Sequence, residues 1–150
     1  MFRHIFKTGY FLFISALFVL SSCSTKPQPI QFGVDNCDFC KMTISDQRYG
    51  AELVTKKGRI FKFDDIHCIK GFIENEQVKD EDIAGLWLVD FSNPQKLIPA
   101  KHSYLFFSEQ LKSPMGSNIA AFENTQEKTK IQENYSGTEM KWDDYLAQHH

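Results

Sequence analysis

Cys37 and Cys40 stand at C-x-x-C spacing, and Met42 follows two residues later. Cys68 and Met115 are further sulfur side chains that could act with them. C-x-x-C spacing is shared by redox dithiols, half-sites for zinc and soft-metal sites. A redox dithiol of the thioredoxin type needs its first cysteine at a helix N-terminus after a strand. Here a Gly33-Val-Asp-Asn36 loop precedes the pair and a β-branched, alternating stretch follows it. Structural zinc asks for four ligands. Cys37, Cys40 and Cys68 offer three, and the sequence has no second C-x-x-C and no H-x3-H. His67 adjoins Cys68 on a predicted helix, where neighbours diverge by about 100°, so the two cannot easily serve one ion.

Met42 points elsewhere. In a strand, Cys40 and Met42 would share a face about 6.6 Å apart, close enough for two sulfurs to meet one ion. Thiolate plus thioether is soft ligation and selects Cu(I) over zinc. The plain alternative makes Met42 and Ile44 two core residues of that strand. Met115 sits in Ser113-Pro-Met-Gly-Ser117, between a residue that fixes φ and one that permits any φ. A gap-filling core methionine is seldom placed in such a loop. Cys40, Met42 and Met115 therefore make a Cu(I) site plausible, while Cys68 is expected to be a small core residue. His102, His149 and His150 are isolated from these motifs.

The N-terminus is an address. Arg3 and Lys7 precede an 11-residue apolar run, Tyr10 to Leu20, too short for the ~20 residues of a spanning helix. Leu20-Ser-Ser-Cys23 then resembles a bacterial lipobox, with residues 1–22 as signal peptide and Cys23 as the lipidated residue. Acyl chains on Cys23 would hold the chain on a lipid bilayer. Residues 23–31, with Pro27 and Pro29, read as an extended tether. The expected location is extracytoplasmic, facing the periplasm on the inner or outer membrane of a bacterium.

The 150 residues carry 17 basic and 19 acidic side chains, a net charge of −2. Without residues 1–22, which hold two basic residues and no acid, the balance becomes −4. This speaks against nucleic acid as a partner, which would call for a basic excess. No Ser/His/Asp set or comparable bond-making group is evident, so the chain is not expected to be an enzyme.

The elements that must position these residues can be read coarsely. Met42–Ile44 is a predicted short strand. Ala51–Thr55 and Arg59–Phe63 flank Lys56-Lys57-Gly58 as a hairpin. Asp64-Asp65 caps a helix carrying Ile66, Ile69 and Ile73 on one face, with Cys68 and Phe72 beside it. Leu86–Phe91, Leu97-Ile98 and Tyr104–Phe107 supply further strand material, and the Ser113–Ser117 loop leads into Asn118–Phe122. Glu123–Tyr135 and Trp142–Gln148 are helix candidates. The order predicts an α+β fold of two small, related ββα-type halves packed together, about 32–82 and 83–150.

The lipobox, Cys37-x-x-Cys40-x-Met42-x-Ile44, Phe63-Asp64-Asp65 and Ser113-Pro-Met-Gly116 with Ala121-Phe122, in that order, resemble the NosL family. That family comprises copper-delivery lipoproteins associated with maturation of nitrous oxide reductase. The resemblance covers residues 32–150 and implies two similar α+β halves and one Cu(I) held by soft sulfur. It implies Cys40, Met42 and Met115 as ligands, with Cys37 as a further candidate. The implied partner is a recipient copper enzyme, nitrous oxide reductase above all, or its maturation machinery. Lys41 departs from the pattern, because many members carry Gly there. Two other readings stay open: a thiol-disulfide oxidoreductase using Cys37 and Cys40, and a structural lipoprotein whose Cys37–Cys40 disulfide staples a loop.

Overall fold

A computed structural model describes residues 24–148; the expected signal peptide, Cys23, His149 and His150 lie outside them. Ala51–Thr55 (β1) and Ile60–Phe63 (β2) form the expected antiparallel hairpin. Gly58 takes up the turn with φ +80°, a conformation that costs glycine little. Ile66–Glu74 (α1) follows, capped by Asp65, whose carboxylate accepts from the His67 amide at 3.0 Å. Ile83–Val89 (β3) then returns to pair antiparallel with β1, and Leu97–Pro99 (β4) pairs with β3. The first sheet thus has the order β2-β1-β3-β4.

The second half repeats this path. Tyr104–Phe107 (β5) pairs with Ile119–Phe122 (β6); Thr125–Gln132 (α2) follows, and Thr138–Met140 (β7) returns to pair with β5. The order β6-β5-β7 matches β2-β1-β3, so each half is a ββαβ unit. Trp142–Ala147 (α3) ends the fold. The α+β class and the paired halves agree with the sequence. The change of sheet falls between β4 and β5, not at residues 80–85, because β3 and β4 pair back into the first sheet.

Two local expectations need correction. The strand predicted over Met42–Ile44 does not form; only an isolated bridge joins Thr43 to Asn36. Lys41 adopts φ +66°, which turns the chain just where an extended run was expected. The tether also docks earlier than expected: Ile30 is buried, the Gln28 amide donates to Glu52 at 2.8 Å, and the Lys62 ammonium donates to the Pro29 carbonyl at 3.0 Å.

One core spans both halves, joining Leu53, Phe63 and Ile69 to Leu105, Ala121 and Trp142. The main chain links them too, since the Phe91 amide donates to the Ala121 carbonyl at 2.8 Å.

Glu52 lies fully buried in the middle of β1, and its Oε2 has no hydrogen-bond partner. Burial pushes its carboxyl up to about 7 from an ordinary 4.5. In this case the folded state holds a proton that the unfolded state releases, so stability is full below about pH 4.5 and is lost as pH rises through 7. The loss amounts to about 3 kcal/mol for a shift of this size. Glu52→Gln is expected to flatten stability between pH 5 and pH 8 in denaturant titrations. A wild-type-like slope in the variant would contradict this assignment.

Candidate metal centre

The segment from Gln31 to Ile44 is held by its own main chain. Gly33 and Ile44 amides bond across it to the Ile44 and Asp35 carbonyls at 2.8 and 2.9 Å. The Cys37 amide donates to the Met42 carbonyl at 2.8 Å and the Lys41 amide to the Cys37 carbonyl at 3.0 Å. Cys37-Asp-Phe-Cys40 therefore forms a closed turn with the left-handed residue at Lys41, where glycine would be unstrained. The departure at Lys41 has this physical counterpart, and its ammonium donates to the Asp38 carbonyl.

This turn is bolted to the first sheet. The Asp38 amide donates to the Lys62 carbonyl, and the Lys62 amide donates to the Asp38 carboxylate, both at 2.8 Å. Lys62 also reaches Asp35 at 2.6 Å. The Phe39 ring lies over Gly71 of α1, so close that a Cβ at position 71 would stand 2.7 Å from it. Glycine there lets the turn approach the helix, and the approach brings Cys37 and Cys40 to Cys68.

The sulfurs of Cys37, Cys40 and Cys68 and a carboxylate oxygen of Asp64 all lie within 4.8 Å of one another. The Cys40 and Cys68 thiols stand 3.6 and 3.3 Å from Asp64 Oδ1. Cys37, Cys68 and Asp64 are buried, and Cys40 is half-buried. Cys37 is held down to about 6, chiefly by the Cys68 thiol beside it and against the opposing effect of burial. Cys68 is pushed up by the same partner and by burial, and Cys40 is raised first by burial. A cation engaging the three sulfurs must displace protons from thiols, so its affinity rises with pH.

Asp65, also buried, connects this corner to the second half. One carboxylate oxygen caps α1, and the other accepts from the Met115 amide at 2.9 Å. Met115 is half-buried and lines a groove of about 400 Å³ with His67, Phe107, Met140 and Tyr145. Met42 is 56% exposed, so it is not a core residue.

Among the expected candidates, Cys37 and Cys40 are brought together. Met115 is anchored through its main chain to the residue next to Asp64, and Met42 stands on the surface beside the turn. Cys68 is buried as expected but also faces the other two sulfurs. Asp64 was missed as a possible ligand. The signal was its place just ahead of α1, four residues before Cys68, a spacing that stacks two side chains on one side of a helix start.

Comparison with known proteins agrees with this architecture. Among curated proteins no sequence relative reaches significance. The crystal structure of the copper chaperone NosL from Shewanella denitrificans superposes with a TM-score of 0.66 at 19% identity, over 80% of this chain and 95% of that one. The NosL family model matches residues 29–148, which takes in every strand and helix described above. The chain belongs to the NosL family.

Proposed function

We propose that this protein is a membrane-anchored Cu(I) chaperone that passes its ion by ligand exchange to an extracytoplasmic copper enzyme, with nitrous oxide reductase as the recipient. The observation that carries this reading is the meeting of the Cys37–Cys40 turn, α1 and the Pro-Met-Gly loop at one corner of a NosL-family chain. Cys40, Met42 and Met115 are the proposed ligands, with Cys37 as a fourth candidate. Family membership and the fold shared with a copper chaperone support copper as the cargo. The soft character of the thioethers supports Cu(I) as its state.

Exposure supports delivery. Met42 is on the surface and Met115 lines an open groove, so an incoming ligand can displace a thioether without unfolding the corner. Cys40 would keep the ion while the exchange proceeds. Redox catalysis is the weaker reading, because a catalytic thiolate must be reached by its substrate and Cys37 is fully buried.

The test is Met115→Leu. Leucine keeps the volume and the apolar character, so the apo protein should lose under ~1.5 kcal/mol. It has no lone pair, so Cu(I) affinity measured anaerobically against a competing chelator should fall at least tenfold, about 1.4 kcal/mol. Equal affinity in the two proteins would reduce the loop to a turn.

Anchoring rests on Cys23. Cys23→Ala should leave the fold intact, since Ser24, Thr25 and Lys26 next to it are exposed, and should release the protein from membranes. Retention of the variant on membranes after high-salt and carbonate washing would contradict the lipid anchor.

A further inference from the structure

We propose that residues 24–30 form a strap that the Glu52 carboxyl fastens or releases with pH, and that release lengthens the tether without opening the metal centre. The strap lies over the outer face of β1, on the side away from α1. Lys62, Glu52 and Trp87 are cross-strand partners on that face. Phe61 and Phe63, which alternate with Lys62, meet Phe72 of α1 on the other face. Three contacts hold the strap. The Gln28 amide donates to Glu52 Oε1 at 2.8 Å, and the Lys62 ammonium donates to the Pro29 carbonyl at 3.0 Å. Ile30 packs by Gly50, its Cδ1 3.2 Å from where a Cβ there would stand. Ser24–Lys26, Gln28 and Pro29 are exposed and Pro27 is half-buried, so little apolar surface opposes lifting.

Glu52 itself is fixed, because β1 is paired on both sides. Its Oε2 is buried without a partner. The charged groups that face it are Lys62 from β2 and Asp35 from the turn beyond the strap, while β3 presents the neutral Trp87. Asp35 already holds Lys62 at 2.6 Å. The Gln28 amide favours the charged carboxylate, but burial outweighs it and keeps the proton in place up to about pH 7. Once ionised, Glu52 needs water at Oε2 and draws Lys62, its cross-strand neighbour, away from Pro29. Lifting the strap admits that water at far less cost than opening the sheet. The Cys37–Cys40 turn stays in place, because Asp38 holds the Lys62 main chain. With Cys23 as the anchor of the proposed function, the free tether grows from the five residues before Gln28 to the eight before Gln31, about 10 Å more reach.

The test is NMR on the isotope-labelled, reduced full-length protein in detergent, titrated between about pH 5 and pH 9. The Glu52 carboxyl carbon should titrate near pH 7. Over the same range the Gln28 and Ile30 amides should lose their rigid heteronuclear NOE, and Ile30 its contact to Gly50, while α1 keeps its resonances. Glu52→Gln, which cannot ionise, should keep the strap ordered throughout. A strap that stays rigid with Glu52 ionised, or that loosens over the same range in Glu52→Gln, would overturn the latch. Loss of the α1 resonances together with the strap would overturn it too, since the opening would then be global. The latch does not use the lipid, so Cys23→Ala should show the same transition; only the gain in reach rests on the anchor.

Discussion

Cys40→Ser is expected to lower the Cu(I) affinity of the reduced protein at least a hundredfold, about 2.7 kcal/mol. The alcohol of serine stays protonated at neutral pH and offers a hard oxygen, so the soft thiolate at the centre of the ligand set is lost outright. The fold should barely notice. Cys40 is only half-buried, and the shorter hydroxyl keeps Asp64 Oδ1 as a nearby acceptor. Thermal unfolding of the apo protein should therefore move little while the anaerobic chelator competition collapses. The same exchange at Cys37 should cost less affinity, because that residue is the less central candidate. Comparable affinity in Cys40→Ser and wild type would remove Cys40 from the site.

Asp65→Ala is expected to be the most damaging single change to the fold at this corner. It removes the cap of α1, about 0.5–2 kcal/mol, and leaves the half-buried Met115 amide without its acceptor, about 1–3 kcal/mol. Together these predict a loss of about 1.5–5 kcal/mol in urea titrations. Asp65→Asn separates the two roles, since its one carbonyl oxygen can cap the helix while its NH2 group faces the Met115 amide without an acceptor. It should recover part of the stability, and yet both variants should bind Cu(I) more weakly than wild type because the Met115 loop has lost its anchor. Full recovery of Cu(I) affinity in Asp65→Asn would show that the carboxylate does not hold the Met115 loop in place.

The legible parts of the sequence were those set by neighbours along the chain. The Lys56-Lys57-Gly58 turn, the Asp65 cap and the spacing of Ile66 and Ile69 predict β1, β2 and α1 almost to the residue. The return strands were harder. β7 is Thr138–Met140, short and largely exposed, and carries no alternating apolar pattern to announce it. β3 reads as a strand, but nothing in its composition says that it pairs back with β1. The turn at Cys37–Cys40 was misread as leading into a strand because Lys41 gives no sign of a left-handed backbone, which glycine would have given.

The site followed the same division. Cys37, Cys40 and Met115 were visible as residue types in constrained loops. The convergence of Cys37 and Cys40 with Cys68 and Asp64 was not, because it depends on Asp38 pairing with Lys62 and on Phe39 lying over Gly71. Those contacts span more than twenty residues and leave no periodic trace. Asp64 in particular looked like half of a helix cap, while Asp65 alone does the capping.

The most direct measurement of the central claim is copper K-edge X-ray absorption on the reduced, full-length protein loaded with one equivalent of copper under anaerobic conditions. The account predicts a Cu(I) edge with a first shell made of sulfur alone at low coordination, and one sulfur fewer in Met115→Leu. A shell dominated by nitrogen or oxygen, or a sulfur count unchanged in Met115→Leu, would contradict it.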